Sequence, residues 1–143
     1  MLVARFAVTV LPDPPLARLR PLIDSVFSQA DMQRIVAHLR AVCDPQTRDW
    51  ANDTADLLQT RSPLAMAVTL EMLRRGRELT LEQCFALELH LDRQWFDRGD
   101  LMEGVRALII DKDKTPHWNP PGLDALDPAH VASFFTDFNA KGA

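Results

Sequence analysis

The chain has 143 residues, a length typical of one domain, and 47% of them are hydrophobic, which is enough to form a buried core. Its formal net charge is −4 and its basic residues are scattered, so the composition argues against a nucleic-acid surface. No apolar run reaches the roughly 18 residues that a membrane-spanning helix needs. We therefore expect neither nucleic acid nor membrane as a partner.

Residues 1–15 are predicted to be a linker or the truncated edge of a larger protein. Within them, residues 2–11 fit a strand or a helix equally well, and Pro12, Pro14 and Pro15 end the segment in either case. No second strand pattern follows, so a strand here has nothing to pair with. Residues 16–143 are predicted to form a helical domain.

Caps and prolines divide that domain into helices. Pro21 places the start of the first helix near residues 19–21, and the later starts are marked by Ser28 with Asp31, Asp44-Pro45, Ser62-Pro63, Thr80 with Gln83, and Asp127-Pro128. The pattern predicts an all-α fold of about seven short-to-medium helices, packed as an irregular bundle with no substantial sheet.

The helix predicted at about residues 101–110 is short and apolar, and its ends are charged. Leu101, Val105 and Leu108 lie on one stripe of a helical wheel, with Gly104 at the edge of that stripe. Glycine costs a helix interior about 1 kcal/mol, so its presence indicates that another group approaches closely. We expect the other helices to pack around this one.

Glu88 interrupts the apolar face of the fifth predicted helix. Because a buried carboxylate needs a partner, we predict a structural ion pair between Glu88 and Arg106 on the next helix. Two alternatives remain open: Glu88 is a general acid or base, or it is exposed in a domain whose partner surface is missing.

Lys112 and Lys114 follow the helix predicted at residues 101–110, and Trp118 lies shortly after them. The helix dipole by itself favours lysines at this end, but a phosphate contact to a nucleotide-like ligand is the alternative. Trp118 is then either a stacking plane for that ligand or a plug that holds the loop against the helices.

The remaining signals for chemistry are weak. The four histidines lack metal-like spacing, and we find no glycine-rich phosphate loop, so we predict no metal site, no cofactor and no catalytic residue in this chain. Cys43 and Cys84 lie on apolar faces of predicted helices and are interpreted as reduced core thiols. Together with the absence of a signal-peptide layout, this predicts a cytoplasmic protein.

Residues 62–120 resemble the C-terminal part of 3-hydroxyisobutyryl-CoA hydrolases, which belong to the crotonase (enoyl-CoA hydratase/isomerase) superfamily. The most specific pieces are EGVRA at residues 103–107 and IDKD at residues 110–113, and the likeness extends over roughly residues 16–138. The resemblance implies acyl-CoA thioester chemistry in the parent family, as in valine catabolism. It also implies that the acyl-CoA site and its catalytic carboxylates belong to an N-terminal α/β core.

That core has no counterpart in this sequence, so we expect a helical C-terminal domain that is catalytically silent by itself. Its expected partner is the missing core, or a second copy that covers an exposed apolar face. Under this resemblance Lys112, Lys114 and Trp118 are the candidates for CoA contact. Two other readings remain: a stand-alone helical adaptor and a weak CoA-binding module.

Overall fold

The computed structural model describes residues 14–139, and this part contains seven α-helices, one π-helical turn and one short 3-10 helix, without a strand. The all-α prediction is therefore confirmed. The predicted segment at residues 2–11 lies outside the described residues. The elements in chain order are α1 (Pro15–Phe27), α2 (Met32–Arg40), α3 (Arg48–Gln59), α4 (Pro63–Gly76), α5 (Leu81–Arg98), α6 (Leu101–Val105), the π turn (Arg106–Ile110), the 3-10 helix (Leu123–Ala125) and α7 (Pro128–Ser133).

Three of the predicted helix starts are confirmed by their hydrogen bonds. The Ser62 hydroxyl accepts from the backbone N–H of the third residue of α4, and the Asp127 carboxylate accepts from an early N–H of α7. At α5, Thr80 and Gln83 form a complete capping box. Each device satisfies backbone donors that have no partner inside the helix.

The other three starts differ from the prediction. α1 already begins at Pro15 and contains Pro21, whose ring removes only one backbone hydrogen bond. Asp31, not Ser28, caps α2. Asp44 begins a turn before α3, where its carboxylate accepts from the Gln46 N–H and the Thr47 hydroxyl.

The apolar side chains form two clusters. The first joins α1, α2 and α3 through the buried residues Val26, Met32, Ile35, Val36, Leu39, Ala51 and Ala55. The second joins α4, α5 and the α7 region through Leu64, Val68, Leu87, Leu91, Phe134 and Phe135. The Arg74 guanidinium of α4 donates to the carbonyls of Gln29 and Ala30, which ties the second half of the molecule to the first.

The two cysteines are not the core thiols that the sequence predicted. Cys43 is exposed, because α2 ends at Arg40 and leaves the cysteine in the following loop. Cys84 is half-buried on α5, where its thiol lies 3.8 Å from the Gly76 carbonyl oxygen.

Candidate functional site

The helix predicted at residues 101–110 is α6 followed by the π turn, and it lies at the surface. The Asp111 N–H donates to the Arg106 carbonyl, five residues back, which defines the wider turn. Ala107 is the buried side chain of the π turn. The large apolar side chains are exposed, and we call them the apolar face: Leu101, Met102, Leu108, Ile109 and Ile110. The expectation that the other helices pack around this segment is therefore wrong.

Arg106 anchors this segment with all five of its N–H donors. It binds Glu103 in bidentate fashion, with Nε at 2.9 Å from Oε2 and Nη2 at 2.7 Å from Oε1. Nη1 donates to Asp111 at 2.6 Å and to Asp113 at 2.8 Å, and Nη2 also reaches the Thr115 carbonyl at 3.1 Å. Charge-assisted bidentate pairs of this kind are the strongest side-chain hydrogen bonds.

Glu103 connects the Arg106 anchor to the loop that follows. Its Oε1 also accepts from the His117 backbone N–H at 2.6 Å. Hydrogen bonds from Arg106 and from this N–H lower the pKa of Glu103 from 4.5 to about 2. Hydrogen bonds from Arg106 and the Thr115 N–H likewise hold the pKa of Asp113 below its usual value. Both carboxylates are therefore charged at neutral pH.

The predicted ion pair between Glu88 and Arg106 is not formed. Arg106 is occupied by Glu103, Asp111 and Asp113. Glu88 is exposed. The buried side of α5 is centred on Leu87 and Leu91, so it is rotated by one residue from the stripe that the sequence predicted. The alternative of an exposed Glu88 is the one that the structure contains, and an exposed carboxylate needs no partner.

Sequence reasoning missed the partners that Arg106 does have. The spacing of Glu103 and Arg106, three residues apart on one helix, was a readable signal. The contacts to Asp111 and Asp113 could not be predicted from the sequence, because they depend on how the chain turns after Ile110. In that turn Lys112 and Lys114 have left-handed backbones, with φ of 57° and 56°. Such conformations cost side-chain-bearing residues about 1–3 kcal/mol each and persist where surrounding contacts hold them.

A cleft of about 710 Å³ lies between the start of α4, the α6 segment and the loop after it. Lys114 and Trp118 line it, whereas Lys112 is not among the lining residues. The Trp118 indole N–H donates to the Thr60 carbonyl at 3.0 Å. A Cβ at Gly104 would lie 3.4 Å from the same indole, so the indole is the group that faces this glycine.

The acid that lines this cleft is Asp100, and its carboxylate is engaged. It accepts from the Ser62 hydroxyl at 2.6 Å and from the Asn119 N–H at 3.2 Å. Among residues 14–139 no group of three or more His, Cys, Asp or Glu side chains is arranged to hold a metal ion. In the same residues no helix is both long and apolar enough to span a bilayer. The charged residues that line the cleft are therefore Arg61, Lys114 and the Asp100 that is bound by Ser62 and Asn119, and most of its other lining side chains are apolar.

The chain belongs to the enoyl-CoA hydratase/isomerase family, whose model matches residues 2–135. It is 32% identical over 114 residues to the mitochondrial 3-hydroxyisobutyryl-CoA hydrolase of Dictyostelium discoideum, covering 79% of this chain and 29% of that protein. It is 31% identical over 118 residues to small ribosomal subunit protein mS47 of Arabidopsis thaliana, covering 80% of this chain and 29% of the relative.

The fold is also that of part of a solved acyl-CoA enzyme. A carnitinyl-CoA dehydratase from Mycobacterium thermoresistibile superposes with a TM-score of 0.80 at 34% identity, over 92% of this chain and 36% of that one. The chain thus spans roughly a third of the length of the proteins that it matches. The predicted cytoplasmic location is contradicted, because the Dictyostelium relative is named mitochondrial.

Proposed function

We propose that this chain is the C-terminal helical domain of an acyl-CoA enzyme most like 3-hydroxyisobutyryl-CoA hydrolase, and that it docks through its apolar face onto an N-terminal catalytic core. The observation that carries the proposal is the exposure of Leu108, Ile109 and Ile110, three consecutive large apolar residues at 61–66%. Contiguous exposed apolar surface marks an interaction site in a soluble protein.

The charges around the apolar face support a fixed docking surface. The Arg106 anchor holds the segment by hydrogen bonds, so the apolar side chains next to it stay available for a partner. The chemistry is expected to reside in the partner, because Asp100 in the cleft is already bound to Ser62 and Asn119. By itself the chain is expected not to turn over 3-hydroxyisobutyryl-CoA.

The test supplies a core from the Dictyostelium relative, shortened by the stretch that this chain matches. We expect this core to bind the chain in titration calorimetry and to regain hydrolysis of 3-hydroxyisobutyryl-CoA in the mixture. A chimera in which this chain replaces the matched stretch gives a second measurement if the shortened core does not fold by itself. Turnover by the chain alone at an ordinary enzyme rate, about 1–1,000 s⁻¹, would contradict the proposal.

A matched pair of variants locates the docking surface. Ile109 and Phe85 are 61% and 62% exposed, but Phe85 belongs to a separate stripe on α5 with Leu81 and Leu89. Ile109→Asp is expected to abolish binding of the core, because it places a charge in an apolar interface. Phe85→Asp is expected to leave binding unchanged. The reverse result would move the interface to α5.

A second candidate is a stand-alone helical adaptor that binds another protein without catalysis. It is favoured by the Arabidopsis relative, which carries the name of a ribosomal subunit protein and matches 80% of this chain. The two candidates differ in the core experiment, since an adaptor gains no hydrolase activity from the Dictyostelium core. Self-association through the apolar face would appear as a dimer in sedimentation measurements. Ile109→Asp should then shift the chain to a monomer.

Contact with CoA is a further part of the proposal, and it rests on Lys114 and Trp118 lining one cleft. Lys112 lies beside them in sequence and was predicted with them. Titration of the chain with CoA is expected to shift the indole N–H resonance of Trp118 and the amides of Lys112 and Lys114. Constant resonances up to millimolar CoA would remove CoA binding by the isolated chain.

A further inference from the structure

We infer that Arg106 is the positioning residue of the docking surface: it fixes the chain from Glu103 to His117, so that the apolar face and Trp118 are presented in one arrangement. The claim that this arrangement is used for docking rests on the proposed function. The claim that Arg106 fixes the loop rests on its hydrogen bonds alone.

The anchor joins four points of one segment. Glu103 precedes Arg106 by one helical turn, and Asp111, Asp113 and Thr115 follow it in the loop. Because both aspartates converge on a single Nη1 atom, the loop has to fold back over the π turn. The left-handed backbones at Lys112 and Lys114 come from this fold-back, and the Lys114 N–H donates to the Ala107 carbonyl within it.

The same anchor extends to Trp118. Glu103, held by Arg106 at two atoms, accepts from the N–H of His117, the residue next to Trp118. The indole ring lies on the side of α6 to which a Cβ at Gly104 would point, and its N–H donates to the Thr60 carbonyl at the end of α3. One guanidinium is therefore hydrogen-bonded to the segment that carries the exposed apolar residues and is connected, through Glu103 and His117, to the tryptophan that lines the cleft.

Lysine cannot replace this arginine, because a single ammonium group does not reproduce a bidentate contact together with three further acceptors. We would compare Arg106→Gln and Arg106→Lys with Arg40→Gln as the matched control. Arg40 also bridges two side chains, Asp56 and Gln59, but it joins α2 to α3 in the other half of the molecule.

The first measurement is amide exchange in the isolated chain. In Arg106→Gln we expect the amides of Asp111, Lys114 and His117 to exchange about tenfold faster or more, as a local opening without global unfolding. The exchange rates of these amides in Arg106→Lys are expected to lie between those of Arg106→Gln and those of the wild type. In the two Arg106 variants, the amides of α2 and α4 should exchange at wild-type rates. In Arg40→Gln, all amides of the 111–117 loop should exchange at wild-type rates. Unchanged exchange at Lys114 and His117 in Arg106→Gln would overturn the positioning role.

The second measurement is affinity for the shortened Dictyostelium core, or activity of the chimera. We expect Arg106→Gln to weaken binding about tenfold or more, a change of about 1.4 kcal/mol or more in binding free energy, and Arg40→Gln to leave it unchanged. A loosened loop with full affinity would show that the arrangement is not used for docking and would overturn the inference. If the wild-type chain does not bind the core, the proposed function fails, and the exchange data still decide whether Arg106 positions the loop.

Discussion

Helix α2 buries its apolar side, where Ile35 and Leu39 are 0% exposed, whereas the π turn exposes its own, with Leu108 and Ile110 at 66%. α2 has 9 residues and the π turn has 5, and both carry several large apolar side chains. α2 is held by apolar contacts with α1 and α3. The π turn is held by one arginine and its three carboxylates. A segment fixed by charge leaves its apolar residues free for a partner, and a segment fixed by burial does not.

The largest expected difference between α2 and the π turn is the loss of unfolding free energy when a leucine is replaced by alanine. Leu39→Ala leaves a cavity in the first core and is expected to cost about 2–5 kcal/mol in the free energy of unfolding. Leu108→Ala removes an exposed side chain and is expected to change that free energy by no more than about 0.5 kcal/mol. Urea denaturation of both variants measures the difference. Equal losses would mean that Leu108 is covered in solution, for instance by a second copy of the chain.

Gly104 tests how closely the α6 segment and Trp118 approach. Gly104→Leu is expected to displace the indole from Thr60 and to cost about 1–3 kcal/mol, as overpacking does. Gly104→Ala places a methyl group 3.4 Å from the ring, an ordinary contact, and should lie within about 1 kcal/mol of the wild type because alanine is the better helix former. Urea denaturation gives the free energies, and the indole N–H resonance of Trp118 reports its position.

If Gly104→Leu leaves that resonance and the stability unchanged, the indole does not hold the α6 segment in solution. Gly99→Ala is a useful contrast, because its Cβ would clash with the ring of Trp95 on α5. That variant is expected to lower stability without moving Trp118.

The smallest expected effect is the pH dependence of the Arg106 anchor. The folded pKa of Glu103, about 2, lies below its ordinary value of 4.5, so the carboxylate contributes its full stabilisation above about pH 4.5. That contribution is lost as the pH falls from 4.5 towards 2. The protection factor of the His117 amide, which is the intrinsic exchange rate at each pH divided by the observed rate, should therefore decrease as the pH falls from 4.5 towards 2, and this decrease should be absent in Glu103→Gln. Titration of the Glu103 carboxyl near its ordinary value would contradict the anchor.

The starts of the later helices were predictable because a cap acts within three residues of itself. Thr80 with Gln83, Ser62 and Asp127 form the hydrogen bonds that their spacing indicates. The start of α2 was misplaced by the same reasoning, since Ser28 and Asp31 are both good caps and only Asp31 reaches the Arg34 N–H. The local sequence allowed either residue to cap α2, and in the folded chain Asp31 is the cap.

Taken by itself, the sequence determined the all-α fold of residues 14–139, the starts of α4, α5 and α7, and the family through EGVRA and IDKD. It did not determine which faces are covered, because periodicity is the same for a buried stripe and an exposed one. The tertiary structure decided that the face of residues 101–110 is exposed, that Glu88 is exposed too, and that Arg106 binds Glu103, Asp111 and Asp113. Two of these contacts depend on the backbone fold-back at Lys112 and Lys114, which no side-chain pattern encodes.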